Sequence, residues 1–162
     1  MRQEFDSSLN HLELKDNRLH SLLELTNAIN ANLAIDQLYR IFTFIMKEQL
    51  NFSRFALLMA HEEWELAAKS GYKGKIAAHD LAQELQRFKD ITLVASSNSP
   101  QLKDFQAVIP IFHQERALAF LLLATPGKTE YLEPQHFSFA QTLTNILSVA
   151  IENRRLTKQN LI

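Results

Sequence analysis

The hydrophobic positions between residues 132 and 162 are spaced as in one long helix. Pro134 suits the first position of that helix, where its missing N–H costs no hydrogen bond. Beyond it, spacings of four and three residues separate the positions of a continuous seam, which are Ala140, Leu143, Leu147, Ala150, Arg154, Thr157 and Leu161. This alternation is the seam period of a coiled coil. Neither Gly nor Pro ends the pattern, so we expect the helix to connect this domain to a separate output domain.

A second seam follows the start of the chain, in a helix predicted over about residues 5–32. Its positions are Phe5, Leu9, Leu12, Asp16, Leu19, Leu23, Thr26, Asn30 and Leu33. From Leu22 onward the apolar surface widens, which indicates a helix that leaves solvent and joins a core. We expect the two seams to pair two copies of the chain in parallel, as a coiled-coil homodimer. The residues expected to form this contact are Leu12, Leu19, Leu23, Leu143, Leu147 and Ala150.

Between these helices the pattern predicts a second buried helix followed by β structure. The predicted elements are a helix over 36–50, a hairpin over 54–60 and 64–69, a short helix around 80–88, a short strand over 91–95, and a second hairpin over 107–112 and 117–124. Pro110 inside the second hairpin indicates an edge, a bulge or an outward-facing position. The fold class that follows is α+β, with a central antiparallel sheet, helices on one face, and long N- and C-terminal helices packed together.

Composition narrows the class of protein further. The chain has 162 residues, of which 46% are apolar and 22% charged, so we expect one globular domain. A net charge of −1 gives no reason to expect nucleic acid or a membrane surface as a partner. The cationic residues near the end, Arg154, Arg155 and Lys158, are interpreted as a solvated face that complements the helix dipole. The longest apolar run, residues 117–124, is too short to span a membrane, and we expect a cytoplasmic protein.

No residue pattern predicts catalysis or a resident metal. The chain contains no cysteine, which excludes disulfides, thiolate metal sites and a thioether-linked chromophore. None of the six histidines is paired at the i, i+4 spacing of a helical zinc site. The segment from Gly71 to Lys75 lacks the spacing of a phosphate-binding loop, and no Gly-x-Ser-x-Gly nucleophile motif exists. We therefore expect no catalytic residues and no cofactor.

Three segments together resemble a GAF domain, the small-molecule sensory module of signalling proteins: residues 22–50, 108–123 and 139–156, the last containing Ala150-Ile151-Glu152-Asn153. Residues 5–30 and 89–92 also resemble bacterial proteins in which a GAF domain precedes a metal-dependent serine/threonine phosphatase of the sporulation and partner-switching type. The resemblance implies a helical extension over 1–20, a sensory domain over 21–155 and a linker to an output enzyme from 156 to 162. Ala119 replaces the Gly that many members have, and the cyclic-nucleotide signature is missing.

The same resemblance implies a ligand pocket between the sheet and residues 72–105. Apolar walls would come from Trp64, Tyr72, Phe88 and Phe105, with Lys69, Lys73 or Arg87 as anchors for an acid. These side chains would equally suit a filled core, which is the slightly favoured interpretation, and any small-molecule effector stays unidentified. The alternatives to a sensory domain with a linked output enzyme are a ligand-free dimerisation scaffold and a haem or metal sensor. A PAS fold is a less favoured alternative.

Overall fold

The structure is a computed structural model that describes residues 18–50, 52, 54–71, 77–94, 105–124 and 134–160, and the side chains of the last helix over 137–156. In chain order the elements are α1 (described over residues 18–30), α2 (Ile35–Phe44), β1 (Arg54–His61), β2 (Glu63–Ser70), α3 (Ala78–Leu85), β3 (Thr92–Leu93), β4 (Ala107–His113), β5 (Arg116–Ala124) and α4 (Pro134–Asn160). Several positions of the sequence predictions lie outside the described residues: the seam positions Phe5, Leu9, Leu12, Asp16 and Leu161, and the pocket positions Tyr72 and Lys73.

The strands form one antiparallel sheet in the order β2-β1-β5-β4-β3. Strands β1, β4 and β5 are buried along most of their length because both faces of the sheet are covered, whereas the edge strand β2 is only partly buried. Pro110 lies opposite Phe120, beyond the pairing of β3 with Ala107 and Val108, and next to a register shift after Ile111. Its missing N–H therefore interrupts no described pair with β3.

Three helices cover one face of the sheet and form its main core. Leu25 of α1, Phe42 of α2 and Leu147 of α4 are fully buried against Phe55 and Leu121 of the sheet. Helix α2 continues as one π-helical turn, Ile45–Gln49. The side chain of Gln49 accepts a hydrogen bond from the hydroxyl of Ser21, and its Nε2 donates to Glu24 Oε2 at 3.2 Å. The predicted α+β fold is thereby confirmed.

Helices α1 and α4 lie side by side and point in the same direction. Near their starts, the guanidinium of Arg18 lies 5.7 Å from the ring centroid of Phe139. Near their ends, Arg154 Nη2 donates to the carbonyl of Ile29 at 3.2 Å. These two contacts join early positions to early positions and late to late. The terminal helices are thus packed together, as predicted, and the carboxyl end of α1 lies beside the late part of α4.

The seam predicted for α4 differs from the structure at three positions, of which the first, Ala140, is buried in the main core. Leu143 and Leu147 are fully buried in the core of their own chain, so neither is available to a second copy. The cause is that a stripe at spacings of three and four also describes a helix face packed on its own domain. Leu19 and Leu23 of α1, in contrast, are 56% and 51% exposed, and Ala150 is half-buried.

The second face of the sheet is covered by α3, which adds one helix to the face that the prediction left open. Leu81, Ala82 and Leu85 of α3 are buried, in one apolar cluster with Leu58 and Phe120 of the sheet. The sheet is therefore the middle layer of three. Each face contributes a separate apolar cluster, and the ends of the strands are the places where polar groups gather.

Candidate functional site

Three of the predicted pocket residues lie together on the α3 face of the sheet. Trp64, Phe88 and Phe105 belong to the same apolar cluster, and Phe105 is buried. The ring of Trp64 lies 5.2 Å from that of Phe120, which also makes an edge contact with Phe112 at 6.4 Å. Aromatic pairs at these separations fill space by direct packing. The described rings on this face thus pack directly against one another, and Trp64 also lines a cavity of about 320 Å³ at the end of the sheet.

The predicted anchors for an acid lie at the rim of that face. Lys69 is exposed and pairs along the strands with Ala56, a member of the same cluster. Arg87 lies over the ring of Phe88, 4.7 Å from its centroid, and 3.9 Å from a carboxylate oxygen of Glu84. The guanidinium of Arg87 is therefore already in contact with a ring and a carboxylate. Tyr72 and Lys73 fall outside the described residues.

A second group of polar residues surrounds the last described turns of α4. Arg155 Nη2 donates to Glu65 Oε1 on β2 at 3.0 Å, and Arg116 at the start of β5 pairs with Glu152. The Arg155 side chain is only 15% exposed. Glu65 and Arg116 are 45% and 62% exposed, so solvent screens both pairs; they set the position of α4 beside the sheet and add little to stability. We call this group, Arg116, Glu65, Glu152, Arg154 and Arg155, the exit junction.

Arg154 connects α4 to the end of α1. Its guanidinium donates to the main-chain carbonyls of Leu33 and Ile29. The last carbonyls of a helix have no partner within that helix, and a cation at this end interacts favourably with the helix dipole. Arg154 and Arg155 therefore make specific contacts, and the interpretation of these residues as a solvated face was wrong. The signal in the sequence was that Arg154 occupies a seam position where an apolar residue is expected.

Tyr39 extends the exit junction to α2. Burial raises the pKa of Tyr39 from 10.0 to about 12; the nearby Arg155 guanidinium opposes this rise and the Glu65 carboxylate adds to it. Among the described residues, neither the buried Tyr39 hydroxyl nor the buried Nη1 of Arg155 has a hydrogen-bond partner of ordinary geometry. No feature of the sequence pattern distinguishes Tyr39 from the other apolar positions of α2, so sequence reasoning missed it.

Two cavities adjoin the exit junction. One of about 570 Å³ is lined by Asn32, Leu33, Ala34, Ile35, His61, Arg154 and Arg155. The other, of about 320 Å³, also contacts His61 and Arg155 and reaches Glu152 and Arg116. Both therefore lie where the loop between α1 and α2, the β1–β2 hairpin and the end of α4 meet.

The described residues hold no group of three His, Asp or Glu side chains that could bind a metal ion. Within the same described ranges, no helix combines the length and the apolar character that crossing a bilayer requires.

Comparison with solved structures identifies the fold. The chain superposes on the GAF domain of a protein described as a sensor histidine kinase from Pseudomonas syringae pv. tomato, with a TM-score of 0.68 and 13% identity over 95% of this chain and 97% of that one. The GAF domain of a phosphoenolpyruvate-protein phosphotransferase from Coxiella burnetii superposes with a TM-score of 0.68 and 20% identity, over 88% of this chain and 97% of that one. The phycoerythrobilin-bound GAF domain of a cyanobacterial phytochrome superposes with a TM-score of 0.64 and 16% identity, over 89% of this chain and 99% of that one.

The chain therefore has a GAF-like fold, as its sequence resemblance predicted. No protein-family model matches the sequence. No curated protein matches it either. At these identities the superpositions show the fold alone, and function has to be argued from the residues of this chain.

Proposed function

We propose that this chain is a non-catalytic regulatory domain that passes a conformational change through α4 to a covalently linked output enzyme. The observation that carries the proposal is the exit junction, where Arg154 and Arg155 join α4 to α1, to the loop before α2 and to β2. A movement of any of these elements changes the partners of α4. Signalling of this kind requires two arrangements that the signal stabilises to different extents. Hydrogen bonds and ion pairs suit such a junction because they can exchange one set of partners for another.

The output enzyme that we propose is a serine/threonine phosphatase. Support comes from the resemblance of residues 5–30 and 89–92 to bacterial proteins with that arrangement. The structural neighbours come from other kinds of protein, among them one described as a sensor histidine kinase and a phosphotransferase. A linker to the output is proposed from residue 156 onward, and the cytoplasm as the compartment.

We also propose that the domain works as a parallel homodimer. Leu19 and Leu23 lie one turn apart on α1 and are largely exposed, and Leu156 near the end of α4 is 45% exposed. Because α1 and α4 point the same way, an α1 contact between two copies would bring both exit helices to the same end of the dimer. Burial of these leucines would supply the apolar area that Leu143 and Leu147 cannot.

Sedimentation velocity at micromolar concentration tests the dimer. The expected result is a dimer for the chain, a monomer for the Leu19→Glu/Leu23→Glu variant, and a dimer for the control Leu93→Glu, which changes a residue that is 69% exposed on β3. A dimer that survives both substitutions on α1 would refute this interface.

Spin labels test the transmission. The chain has no cysteine, so the single substitution Asn145→Cys on the exposed side of α4 provides one labelling site in each copy. We expect double electron–electron resonance to give one narrow distribution of distances between the spin labels of the two copies. Adding Arg154→Gln should broaden or shift it, because α4 loses its contact with α1. An unchanged distribution would contradict the proposed role of the exit junction.

A ligand-free dimerisation scaffold is the second candidate function. The direct packing of Phe105 and Phe120 in one apolar cluster, with the ring of Trp64 against that of Phe120, supports it. A scaffold would keep its distance distribution unchanged in every variant that preserves the dimer.

A further inference from the structure

The cavity of about 570 Å³ beside the exit junction has the properties of a ligand site. Its volume lies in the range typical of sites for small molecules. One wall is apolar and comes from Leu33, Ala34 and Ile35, and the polar side chains of the lining are those of Asn32, His61, Arg154 and Arg155. This cavity lies on the opposite side of the sheet from the cluster that contains Trp64 and Phe105, so it is separate from the pocket that the sequence resemblance implied.

The charges around this cavity favour an anion. Its described lining includes Arg154, Arg155 and the ionisable His61, and no carboxylate. Arg155 Nη2 donates to Glu65 Oε1 at 3.0 Å and the guanidinium also interacts with the Tyr39 hydroxyl, so its positive charge, rather than a free N–H, acts on the cavity. Arg154 is committed to main-chain carbonyls, so it adds positive charge but no free fork.

Apart from Glu65, which pairs with Arg155, the carboxylates nearby lie outside this cavity. Glu62 and Glu63 line the neighbouring cavity, and Asp36 in the first turn of α2 is exposed and outside the lining. The first residue before α2 is Ala34, whose side chain offers no acceptor to the amides of the first helical turn. These amides add a further favourable electrostatic contribution at the edge of the cavity.

We propose that this cavity binds a small carboxylic acid with a short apolar body. The carboxylate would face Arg155, because a planar guanidinium matches a carboxylate better than other anions of similar size. The apolar body would lie against Leu33 and Ile35. Such a ligand contacts both the loop between α1 and α2 and the end of α4, so its binding stabilises the arrangement in which Arg154 holds these two parts together. The proposal goes beyond the regulatory function and does not depend on the dimer.

Calorimetric titration of the whole chain with sodium hexanoate tests the proposal. We expect saturable binding and a rise in the midpoint of thermal unfolding. Hexanamide has the same body without charge, and inorganic phosphate has charge without the body, so both should bind much more weakly. Equal binding of hexanamide would overturn the role of the charge, and equal binding of phosphate would overturn the role of the apolar wall.

Variants and methyl resonances locate the site. Arg155→Gln should weaken hexanoate binding about tenfold or more. Ala34→Trp, at an exposed position, should block the cavity without removing a charge. Arg40→Gln makes the same change of charge outside the lining and should leave the affinity unchanged. In the chain without substitutions, hexanoate should shift the methyl resonances of Ile35 and leave those of Leu81 and Leu85 in place.

Shifts confined to Leu81 and Leu85 would place the ligand on the α3 face and overturn the proposal. Unchanged affinity in both Arg155→Gln and Ala34→Trp would also overturn it. These outcomes are independent of the sedimentation and spin-label results, so the failure of this site and the failure of the proposed function can be told apart.

Discussion

Arg154, in the exit helix, donates a hydrogen bond to the main-chain carbonyl of Leu33, 121 positions earlier in the chain. The same guanidinium reaches Ile29, so one side chain closes the end of α1 and fixes α4 beside it. Helices α1 and α4 are thus joined by a contact that a single substitution can remove.

Arg154→Gln should destabilise the domain by roughly 1.5–3 kcal/mol, the range for hydrogen bonds that involve a charged group. The shorter neutral side chain cannot reach both carbonyls, so the Leu33 carbonyl loses this donor, whereas the Ile29 carbonyl still accepts from the N–H of Asn32. Urea unfolding measures the change. The control is Arg87→Gln, which removes an equal charge at the α3 face, where Arg87 is 59% exposed. A smaller effect for Arg154→Gln than for Arg87→Gln would contradict the structural role given to Arg154.

Leu147→Ala should cost about 2–5 kcal/mol of folding free energy, because Leu147 is fully buried in the main core. Leu23→Ala, on the exposed side of α1, should change the stability of the monomer by no more than about 0.5 kcal/mol. Thermal and urea unfolding of both variants, at a concentration where the chain is monomeric, provide the comparison. Equal costs would mean that the two helices do not pack as described.

Ala34→Ser should stabilise the chain by about 0.5–2 kcal/mol. Ala34 precedes α2 with φ −62° and ψ 153°, the extended conformation that favours a capping side chain, yet alanine offers no acceptor. The Ala34 N–H already bonds to Gln37 Oε1 at 3.1 Å, so serine would complete the reciprocal pair of a capping box. Ala34→Val is the matched control and should give no gain in urea unfolding. A gain for valine equal to that for serine would rule out capping as the cause.

The β4–β5 hairpin should also accept a stabilising change. Gln114 and Glu115 have φ values of 52° and 69°, a left-handed conformation that costs most side chains about 1–2 kcal/mol each. Replacing the pair by Asn-Gly, which this type of turn prefers, should raise the midpoint of thermal unfolding. As a control, Ala60→Gly introduces glycine in β1 at a residue without positive φ, and it should lower the midpoint of thermal unfolding. A lowered midpoint for the Asn-Gly variant would contradict the turn geometry.

Stability should fall between pH 10 and pH 12 because of Tyr39. The folded-state pKa of about 12 lies above the unfolded value of 10.0, so the folded chain keeps a proton that the unfolded chain loses in this interval. The contribution of Tyr39 is complete below the lower pKa and is lost as the pH rises through the higher one. Urea unfolding as a function of pH should show a shallower decline for Tyr39→Phe. Identical declines for the two chains would mean that Tyr39 ionises at its ordinary pKa.

Sequence reasoning predicted most of the fold because the chain alternates between two clear periods. The start of α4 at Pro134 and the turn between His113 and Arg116 follow from local patterns, and the structure has both where the sequence placed them. Local patterns do not predict which surface a helix face packs against. The period of Leu143 and Leu147 is the same whether they contact their own sheet or a second copy, and only the tertiary structure distinguishes the two.

The exit junction could be predicted only in part. Arg155 contacts Glu65 across 90 positions of sequence, and no local spacing encodes such a pair. The position of Arg154 in the sequence did indicate a contact, because a cation at a seam position requires a polar partner in the folded chain. The predicted pocket residues were named from the resemblance to a family, and the structure brings Trp64, Phe88 and Phe105 to one face without showing that the face binds anything.

The contact between Arg155 and Glu65 also sets the rotation of α4 about its own axis. It fixes which way α4 faces at the point where it passes the sheet, and a helix turns by about 100° and advances about 1.5 Å with every residue. The orientation of whatever follows is therefore determined by the number of residues counted from Arg155. Adding one residue after Leu156 would turn a helical continuation to a different side, whereas adding seven would nearly restore its original direction.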